Sequence, residues 1–184
     1  MNSKMNNIYQ LKITLKYSRP PIWRRVLVNK DLLLSSLHRI IQTVMGWSNS
    51  HLHQFIYNGQ FYSLPSEDDG DDMEIIDYSK IKLSDLLENE KNKMIYEYDF
   101  GDGWEHEILL EKILPFEKDK RYPICLDGKR NCPPEDCGGI GGYENLLEII
   151  KDPKNNEYNK MVEWLGEYNP EYFDVKDTNM NRPY

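Results

Sequence analysis

The sequence predicts an α+β fold, in which a mainly antiparallel sheet carries one helix after its first two strands and a pair of helices near the C-terminus. Three observations predict it. Alternating apolar and polar residues flank several short turns, as they do in antiparallel hairpins. Helical periodicity occurs in three stretches, at 35–46, 143–151 and 157–166. The resulting order of elements, β-β-α-β-β followed by β-β-α-α, is typical of an α+β protein.

An apolar face that repeats at every second residue predicts the first strand, beginning at residue 8. This face consists of Tyr9, Leu11, Ile13, Leu15 and Tyr17. Pro20 and Pro21 interrupt the pattern, and a second β-rich run over 22–28 is expected to pair with the first through this turn.

The first helix is predicted over 35–46 from a single apolar stripe with helical spacing. The stripe consists of Leu37, Ile40, Ile41, Val44 and Met45. Ser35 is the expected N-cap and Gly46 the expected C′ residue, because these residue types suit the two ends of a helix.

Two hairpins are predicted in the middle of the chain. Asn58-Gly59 is a strong hairpin signal, so 51–57 and 60–64 are interpreted as paired strands. The acidic stretch 67–74 is interpreted as a solvated insertion, and 82–87 as a short helical turn.

The second hairpin joins 94–100 to 104–114 through a predicted three-residue loop at 101–103. This loop collects the apolar residues of both strands on one face and their glutamates on the other, whereas a two-residue loop would mix charges into both faces. The predicted pairs are Phe100 with Trp104 and Tyr98 with His106.

The whole chain is predicted to form one domain over about 8–175, with a frayed start at 1–7 and an extended polar tail from 169 to 184. Residues 125–142 combine cysteines, adjacent prolines and glycines, which predicts irregular structure. The expected core consists of Leu11, Ile13, Leu15, Leu37, Ile41, Val44, Tyr96, Tyr98 and Ile108.

Composition excludes several classes of protein. The chain of 184 residues has 23 basic and 31 acidic residues, so its net charge is −8 and general nucleic-acid binding is not expected. The longest apolar runs are too short to span a membrane. With no visible secretion signal and only 3 cysteines, we expect a cytoplasmic protein without a disulfide framework.

Three histidines are candidate ligands for a divalent metal. His51 and His53 lie two residues apart on a predicted strand, so both imidazoles share one face. The predicted hairpin places His106 on its apolar face, as a ligand, a general base or a buried histidine that is satisfied by a hydrogen bond. The simpler alternative for the first two is a strand with partly exposed histidines.

Cys125, Cys132 and Cys137 form a cluster in the sequence, but their spacing differs from that of a zinc ribbon. A rigid segment with inward cysteines, a Cys₃His metal site and a redox pair of the last two all remain open. The glycines at 138–142 precede a predicted helix and could bind an anion, although loop flexibility explains them equally well.

We expect 132–142 to dock beside the 98–106 hairpin, because ordering so many glycines requires compensating contacts. Cys132 and Cys137 should turn inward, with Glu135 or Asp136 capping a backbone turn. The exposed rim would form one wall of a ligand-binding cleft. The candidate cleft residues are Asp99, Asp102, Trp104, His106, Glu135 and Asp136.

Four stretches together resemble the plasmid pRiA4b ORF-3-like family. They are PPIWRRV at 20–26; LH at 37–38 with IQ at 41–42, MGW at 45–47 and HLHQF at 51–55; YDFGD at 98–102 with WEH at 104–106; and CPPEDCGG at 132–139 with GY at 142–143. The resemblance covers about 8–175 and implies an association with plasmids and other mobile elements. The family carries no established activity, and although some members are labelled transposon passengers or resolvases, no basic DNA-binding stripe is visible here.

These observations favour a non-catalytic module that binds a protein or a small-molecule ligand in the predicted cleft. No nucleophile with a paired base and no nucleotide-binding fingerprint can be identified. The alternative is a metal-dependent enzyme, such as a hydrolase, with His51, His53, His106 and Asp99 as ligands and Glu105 or Glu135 as general base.

Overall fold

The structure is a computed structural model and describes residues 7–64 and 75–180. Its strands are β1 (Asn7–Leu15), β2 (Ile22–Asn29), β3 (His53–Tyr57), β4 (Gln60–Ser63), β5 (Ile75–Asp77), β6 (Lys93–Tyr98), β7 (Trp104–Pro115) and β8 (Ile124–Lys129). Its helices are α1 (Leu34–Met45), α2 (Leu83–Leu86), α3 (Gly139–Lys151), α4 (Tyr158–Leu165) and α5 (Val175–Met180). The predicted α+β class is confirmed.

The strands form an eight-stranded sheet in the order β5-β4-β3-β6-β7-β1-β2-β8. Every neighbouring pair is antiparallel except β4 with β5, which is parallel. The centre of the sheet therefore joins the start of the chain to the long strand β7. This pairing brings residues from both halves of the chain onto one sheet face.

One face of the sheet carries the core, together with α1. Burial alternates along β1 and β7, so that every second side chain is buried while the intervening polar side chains face outwards. All nine predicted core residues are buried. None of the helices in the described ranges has the length and apolar content that a membrane crossing requires.

The first helix has the predicted C-terminus but not the predicted N-cap. Gly46 adopts a left-handed backbone with φ of 91°, and its N–H bonds to the carbonyl of Gln42. The helix starts at Leu34, one residue before Ser35, and Leu33 is the N-cap, without a side-chain hydrogen bond. Leu33 forms an isolated β-bridge with Lys82, which holds its backbone extended. This long-range contact, rather than a local side-chain cap, fixes the start of the helix.

The hairpin β6–β7 has the predicted faces but a register that differs by two residues. Tyr98 pairs with Trp104 and Tyr96 with His106, so the connection has five residues, 99–103. Asp99 has φ of 57°, and its carbonyl accepts a hydrogen bond from the Gly103 N–H at 2.6 Å. Because a shift of two keeps every side chain on its face, the predicted apolar face survives.

One residue leaves that face because of the shift. Phe100 belongs to the turn rather than to the strand, and it is 49% exposed. By contrast, both residues of the β3–β4 turn, Asn58 and Gly59, have positive φ as the hairpin prediction requires.

Several further expectations need correction or lie outside the described residues. Residues 124–129 are the edge strand β8 rather than irregular chain, and α3 begins at Gly139 inside the glycine-rich stretch. The tail contains α5 rather than being extended throughout, and β5 was not predicted. The acidic stretch 67–74 and the first six residues lie outside the described ranges.

The edge of β8 is closed by one side chain. Asn179 of α5 accepts a hydrogen bond from the Cys125 N–H at 3.0 Å and donates one to the Cys125 carbonyl at 2.8 Å. Its amide thus replaces the peptide group of a further strand, which protects an otherwise open sheet edge.

Asn179→Ala is expected to lower the free energy of unfolding by about 1–2 kcal/mol, because both backbone groups of Cys125 lose their partner. Urea unfolding followed by circular dichroism measures the change. Thr178→Ala is the control, since its hydroxyl bonds only to the Asp174 carbonyl of the same segment. Equal midpoints for the two variants would contradict this role.

Candidate functional site

Three segments meet beside the end of β6. They are the His51 segment (46–52), which links α1 to β3; the Asp99 turn (99–103), which joins β6 to β7; and the docked segment (130–138), which lies between β8 and α3. The sheet order places the ends of β3 and β6 next to one another. Long-range pairing therefore assembles this corner from distant parts of the sequence.

The docked segment is held on the hairpin by hydrogen bonds to its backbone. The Trp47 Nε1–H donates to the Pro133 carbonyl at 3.0 Å, and the Gly138 N–H donates to Asp102 Oδ2 at 3.2 Å. The predicted docking beside the 98–106 hairpin is confirmed. Within the segment, Cys132 is buried as expected, whereas Cys137 is only partly buried.

Glu135, in the docked segment, bonds both to the end of β6 and to the His51 segment. Its Oε1 accepts a hydrogen bond from the Tyr98 hydroxyl at 2.5 Å, and its Oε2 accepts one from the Ser48 N–H at 3.2 Å. Burial, followed by this bond to Glu135, raises the pKa of the Tyr98 phenol. Glu135 thus caps the backbone turn of the His51 segment, and it is one of the two residues that the sequence suggested for such a cap.

The N-terminus of α3 is occupied by a side chain of the protein itself. Asp102 accepts the Gly138 N–H, and a Cβ at Gly139 would lie 2.4 Å from the Asp102 carbonyl oxygen. The glycine therefore permits a close backbone approach, and the carboxylate suits the positive end of the helix dipole. A carboxylate of the protein itself thus bonds to the first residue of the glycine-rich stretch 138–142.

His51, Asp99 and Asp136 converge at the centre of the corner. His51 Nδ1 lies 3.7 Å from Asp99 Oδ2, and His51 Nε2 lies 3.3 Å from Asp136 Oδ1. One ligand atom from each residue lies within 4.8 Å of the other two. In residues 7–64 and 75–180, this is the one group of three or more His, Cys, Asp or Glu side chains with such spacing.

His53 is engaged elsewhere. Its ring stacks on that of His38, with centroids 3.5 Å apart and planes 3° apart, and its Nε2 lies 2.6 Å from the Tyr78 hydroxyl. Burial, followed by the proximity of His38, lowers the pKa of His53 to about 3. The two histidines do not join one metal group because His53 begins β3, while His51 lies in the loop before it.

His106 is a fully buried core histidine. Its Nδ1 lies 3.1 Å from the Trp104 carbonyl, which matches the predicted alternative of a backbone hydrogen bond. Burial lowers its pKa to about 4, so the neutral imidazole is the stable form at neutral pH. Its Nε2 and the Trp104 Nε1 are buried without a hydrogen-bond partner among the described residues. The candidate metal group does not include it.

The cysteines do not form a metal group within the described parts of the chain. All three are free thiols, and Cys125 lies on β8, where its Sγ is 3.7 Å from the Asp127 carbonyl. Burial raises the pKa of all three thiols, that of Cys137 to about 12. Low-pKa thiol chemistry is therefore disfavoured here, and the inward packing of a rigid segment describes Cys132 best.

Comparison with known proteins identifies the family. The sequence model of the plasmid pRiA4b ORF-3-like protein family matches residues 7–177. The chain belongs to this family. It is 38% identical over 161 residues to the uncharacterized protein y4hQ of Sinorhizobium fredii, covering 87% of this chain and 81% of that protein.

A crystal structure of a similar protein shows the same fold. The protein of unknown function MM3350 from Methanosarcina mazei Go1 has a TM-score of 0.84 and 41% identity to this chain. The match covers 95% of this chain and 98% of the relative. The names of these two similar proteins state no function.

The sequence identified most of the residues of this corner but not which of them lie close together. Asp99, Glu135, Asp136 and His51 were all candidates, yet the pairing of His51 with Asp136 requires the docked segment to fold back onto β6. Residues of α4 that border the corner were not selected, because Trp164 lies on an amphipathic helix where an aromatic side chain usually indicates packing. Only its exposure in the fold distinguishes it.

Proposed function

We propose that this protein is a binding module for a small molecule with an apolar or aromatic body and an anionic group. The observation that carries the proposal is Trp164, which is 52% exposed and separates two cavities at the edge of the docked segment. Large exposed aromatic side chains next to cavities are typical of ligand sites.

The larger cavity, of about 310 Å³, lies between the docked segment, α3 and α4. Leu146, Met161 and Trp164 provide its apolar lining. Asn145 and Lys160 are polar groups on the same lining. This combination of apolar walls with few polar groups is the usual composition of a small-molecule site.

The smaller cavity, of about 220 Å³, lies on the other side of Trp164. Pro133, Pro134 and Tyr168 line it, together with Trp47. No residue of α4 is fully buried, so this helix is held by fewer apolar contacts than α1 or α3. A ligand that inserts beside Trp164 would have little packed core to displace.

The charges support a small ligand rather than a nucleic acid. Lys160 is the positive group on the lining of the larger cavity, which also carries Asp136 and Glu157, and the chain as a whole has a net charge of −8. A duplex would be repelled by that net charge, while a single anion would meet one local lysine. General nucleic-acid binding is therefore not part of the proposal.

The alternative function, a metal-dependent hydrolase, requires a free general base near the metal. Glu105 forms a salt bridge with Lys16, and both oxygens of Glu135 accept hydrogen bonds from Tyr98 and Ser48. These engagements do not favour either glutamate as a base. The binding module remains the better-supported function.

Trp164→Ala is expected to weaken binding of 1-anilinonaphthalene-8-sulfonate, an aromatic monoanion, by about tenfold or more. We expect the wild-type chain to bind one dye molecule saturably, because the aromatic rings reach Trp164 and the sulfonate reaches Lys160. Fluorescence titration measures both affinity and stoichiometry. Lys160→Gln should weaken binding less than the loss of the indole, because an exposed ion pair contributes little.

Trp23→Ala is the matched control. Trp23 is a half-buried tryptophan of β2, with Lys12 and Arg25 over its ring, and it lines neither cavity. Its removal should leave the dye affinity unchanged. Unsaturable dye binding, or equal loss in the two tryptophan variants, would rule out the proposed site.

A further inference from the structure

The group of His51, Asp99 and Asp136 is built from three separate segments. The His51 segment, the Asp99 turn and the docked segment each contribute one side chain, with ligand atoms within 4.8 Å of one another. The function proposed above uses none of these three contacts. The convergence of an imidazole and two carboxylates is the first observation that indicates a further site.

Asp99 is held so that one oxygen remains directed towards His51. Its backbone N–H donates to the Leu52 carbonyl at 2.8 Å, which ties the turn to the His51 segment. Its Oδ1 accepts the Gly101 N–H at 3.0 Å and the Asp102 N–H at 3.4 Å. Oδ2 is then the oxygen 3.7 Å from His51 Nδ1.

Both aspartates have an unusual backbone. Asp99 has φ of 57° and Asp136 has φ of 59°, in the left-handed region that side-chain-bearing residues seldom adopt. Such a conformation costs about 1 kcal/mol or more per residue. At Asp99 the hydrogen bonds of the turn maintain this conformation.

The second, independent observation concerns His51 itself. Its Nε2 is screened from solvent and makes no hydrogen bond within the described residues, although Asp136 Oδ1 is only 3.3 Å away. The ring is fixed edge-on against Tyr98, with centroids 5.7 Å apart. A buried polar nitrogen without a partner is destabilising by about 1–3 kcal/mol, so a ligand for that nitrogen is expected.

The negative charge around His51, Asp99 and Asp136 also favours a bound cation. Asp99 is only 8% exposed, and a second carboxylate, Asp136, approaches the same imidazole. Glu135 adds further negative charge in the same corner. Two carboxylates that converge on one imidazole repel each other, and a cation offsets both that repulsion and the desolvation of the buried carboxylate.

We infer that this corner binds one divalent transition-metal ion through one ring nitrogen of His51 and one carboxylate oxygen each of Asp99 and Asp136. A mixed nitrogen and oxygen donor set suits zinc, manganese or iron better than calcium, which prefers oxygen alone. Three protein ligands leave positions for water or a ligand group. Asp136 also lines the larger cavity, so those positions lie next to it.

The site differs from the one that the sequence suggested. Asp136 takes the place of the partly buried His53 and the fully buried His106, both of which are bonded elsewhere. The competing explanation is an ordinary ion pair, in which a protonated His51 bridges the two aspartates. An ion pair needs no metal and would be lost with either aspartate, so metal binding itself distinguishes the two.

The test is a titration of the full chain, purified without an affinity tag and treated with chelator, with Mn²⁺ followed by electron paramagnetic resonance. Mn²⁺ is the chosen probe because it prefers oxygen and nitrogen ligands, which keeps the three thiols out of the measurement. We expect one bound ion. His51→Gln and Asp136→Asn should each weaken it by about tenfold or more.

Asp102→Asn is the matched control, a neighbouring carboxylate whose oxygen faces Gly138 instead of the metal group. It should leave Mn²⁺ affinity within about twofold, because its amide oxygen still accepts the same N–H. Asp136 is exposed, so its variant keeps the experiment informative even if His51→Gln alters the fold. Absence of binding up to about 1 mM Mn²⁺, or binding that survives both ligand variants, overturns the site.

Discussion

Replacing Gly142 with alanine is expected to release the docked segment and lower the free energy of unfolding by about 3 kcal/mol or more. A Cβ at this position would lie 1.8 Å from the Cys137 carbonyl oxygen and 2.7 Å from its carbon. Both are backbone atoms, so no side-chain rotation relieves the clash. Either the start of α3 or the docked segment must move.

Gly141→Ala is the matched control for that variant. Gly141 lies in the same turn of α3, and a Cβ there would meet no atom within 4 Å. Alanine should be neutral or stabilise the helix by up to about 1 kcal/mol. Urea unfolding gives the free energies, and hydrogen exchange of residues 130–138 shows whether the segment is released. Similar behaviour of the two variants would contradict the proposed tight contact.

The same variant separates the fold from the site. Because the docked segment carries Asp136 and borders both cavities, Gly142→Ala should also weaken Mn²⁺ and dye binding. The β-sheet core does not depend on this segment directly. We therefore expect the hairpin β6–β7 to retain its protection from hydrogen exchange.

Acid is expected to destabilise the fold between about pH 6.5 and pH 4, an interval that begins well above the pKa of most carboxylates. Burial lowers the pKa of His106 to about 4 and that of His53 to about 3, while both histidines titrate near 6.5 in the unfolded chain. In this interval the unfolded state binds more protons than the folded state, so stability falls as the pH falls.

The expected slope is about 1.4 kcal/mol per pH unit for each histidine that remains unprotonated in the fold. His38 adds to it, because burial also lowers its pKa and its ring stacks on that of His53. Across one pH unit near 5, the loss is a large fraction of the usual stability of a domain. Guanidinium unfolding at several pH values measures the slope.

His53→Gln tests the origin of this slope. The variant should be less stable at pH 7, since it loses the stacking on His38 and alters the contact with Tyr78. Its stability should nevertheless decline less steeply with acid, because one titrating group is gone. A wild-type chain with constant stability from pH 6.5 to 5 would disprove the claim.

Periodic patterns in the sequence were sufficient for the first half of the fold. The alternation from Tyr9 to Leu15 and the stripe from Leu37 to Met45 report burial on one face directly. The turn at Asn58-Gly59 was equally clear, since few residues accept positive φ at both central positions. These signals are local, so no distant contact was needed to interpret them.

The hairpin register shows where local reasoning ends. Apolar alternation determines which face each residue of β6 and β7 occupies, but shifts of two residues preserve that face. The register is set by Asp99, whose left-handed backbone and side-chain hydrogen bonds from Gly101 and Asp102 close a five-residue turn. Nothing in the hydrophobic pattern distinguishes this turn from a shorter one.

The edge strands β5 and β8 were missed for a related reason. Each is short and has few buried side chains, so its period is weak. Their strand character comes from hydrogen bonds to β4 and β2, and that of β8 is completed by Asn179 from the end of the chain. Such backbone pairing leaves little trace in side-chain composition.

The sequence by itself determined the α+β class, the core faces, the family and the residue types available for a site. Only the tertiary structure decided which of those residues meet. His51 and Asp136 are joined because the docked segment folds back onto the end of β6, while His53 is engaged by His38 and Tyr78 and His106 is buried in the core. Spacing along the chain reports local geometry, whereas a site built from three segments depends on long-range packing and backbone hydrogen bonds.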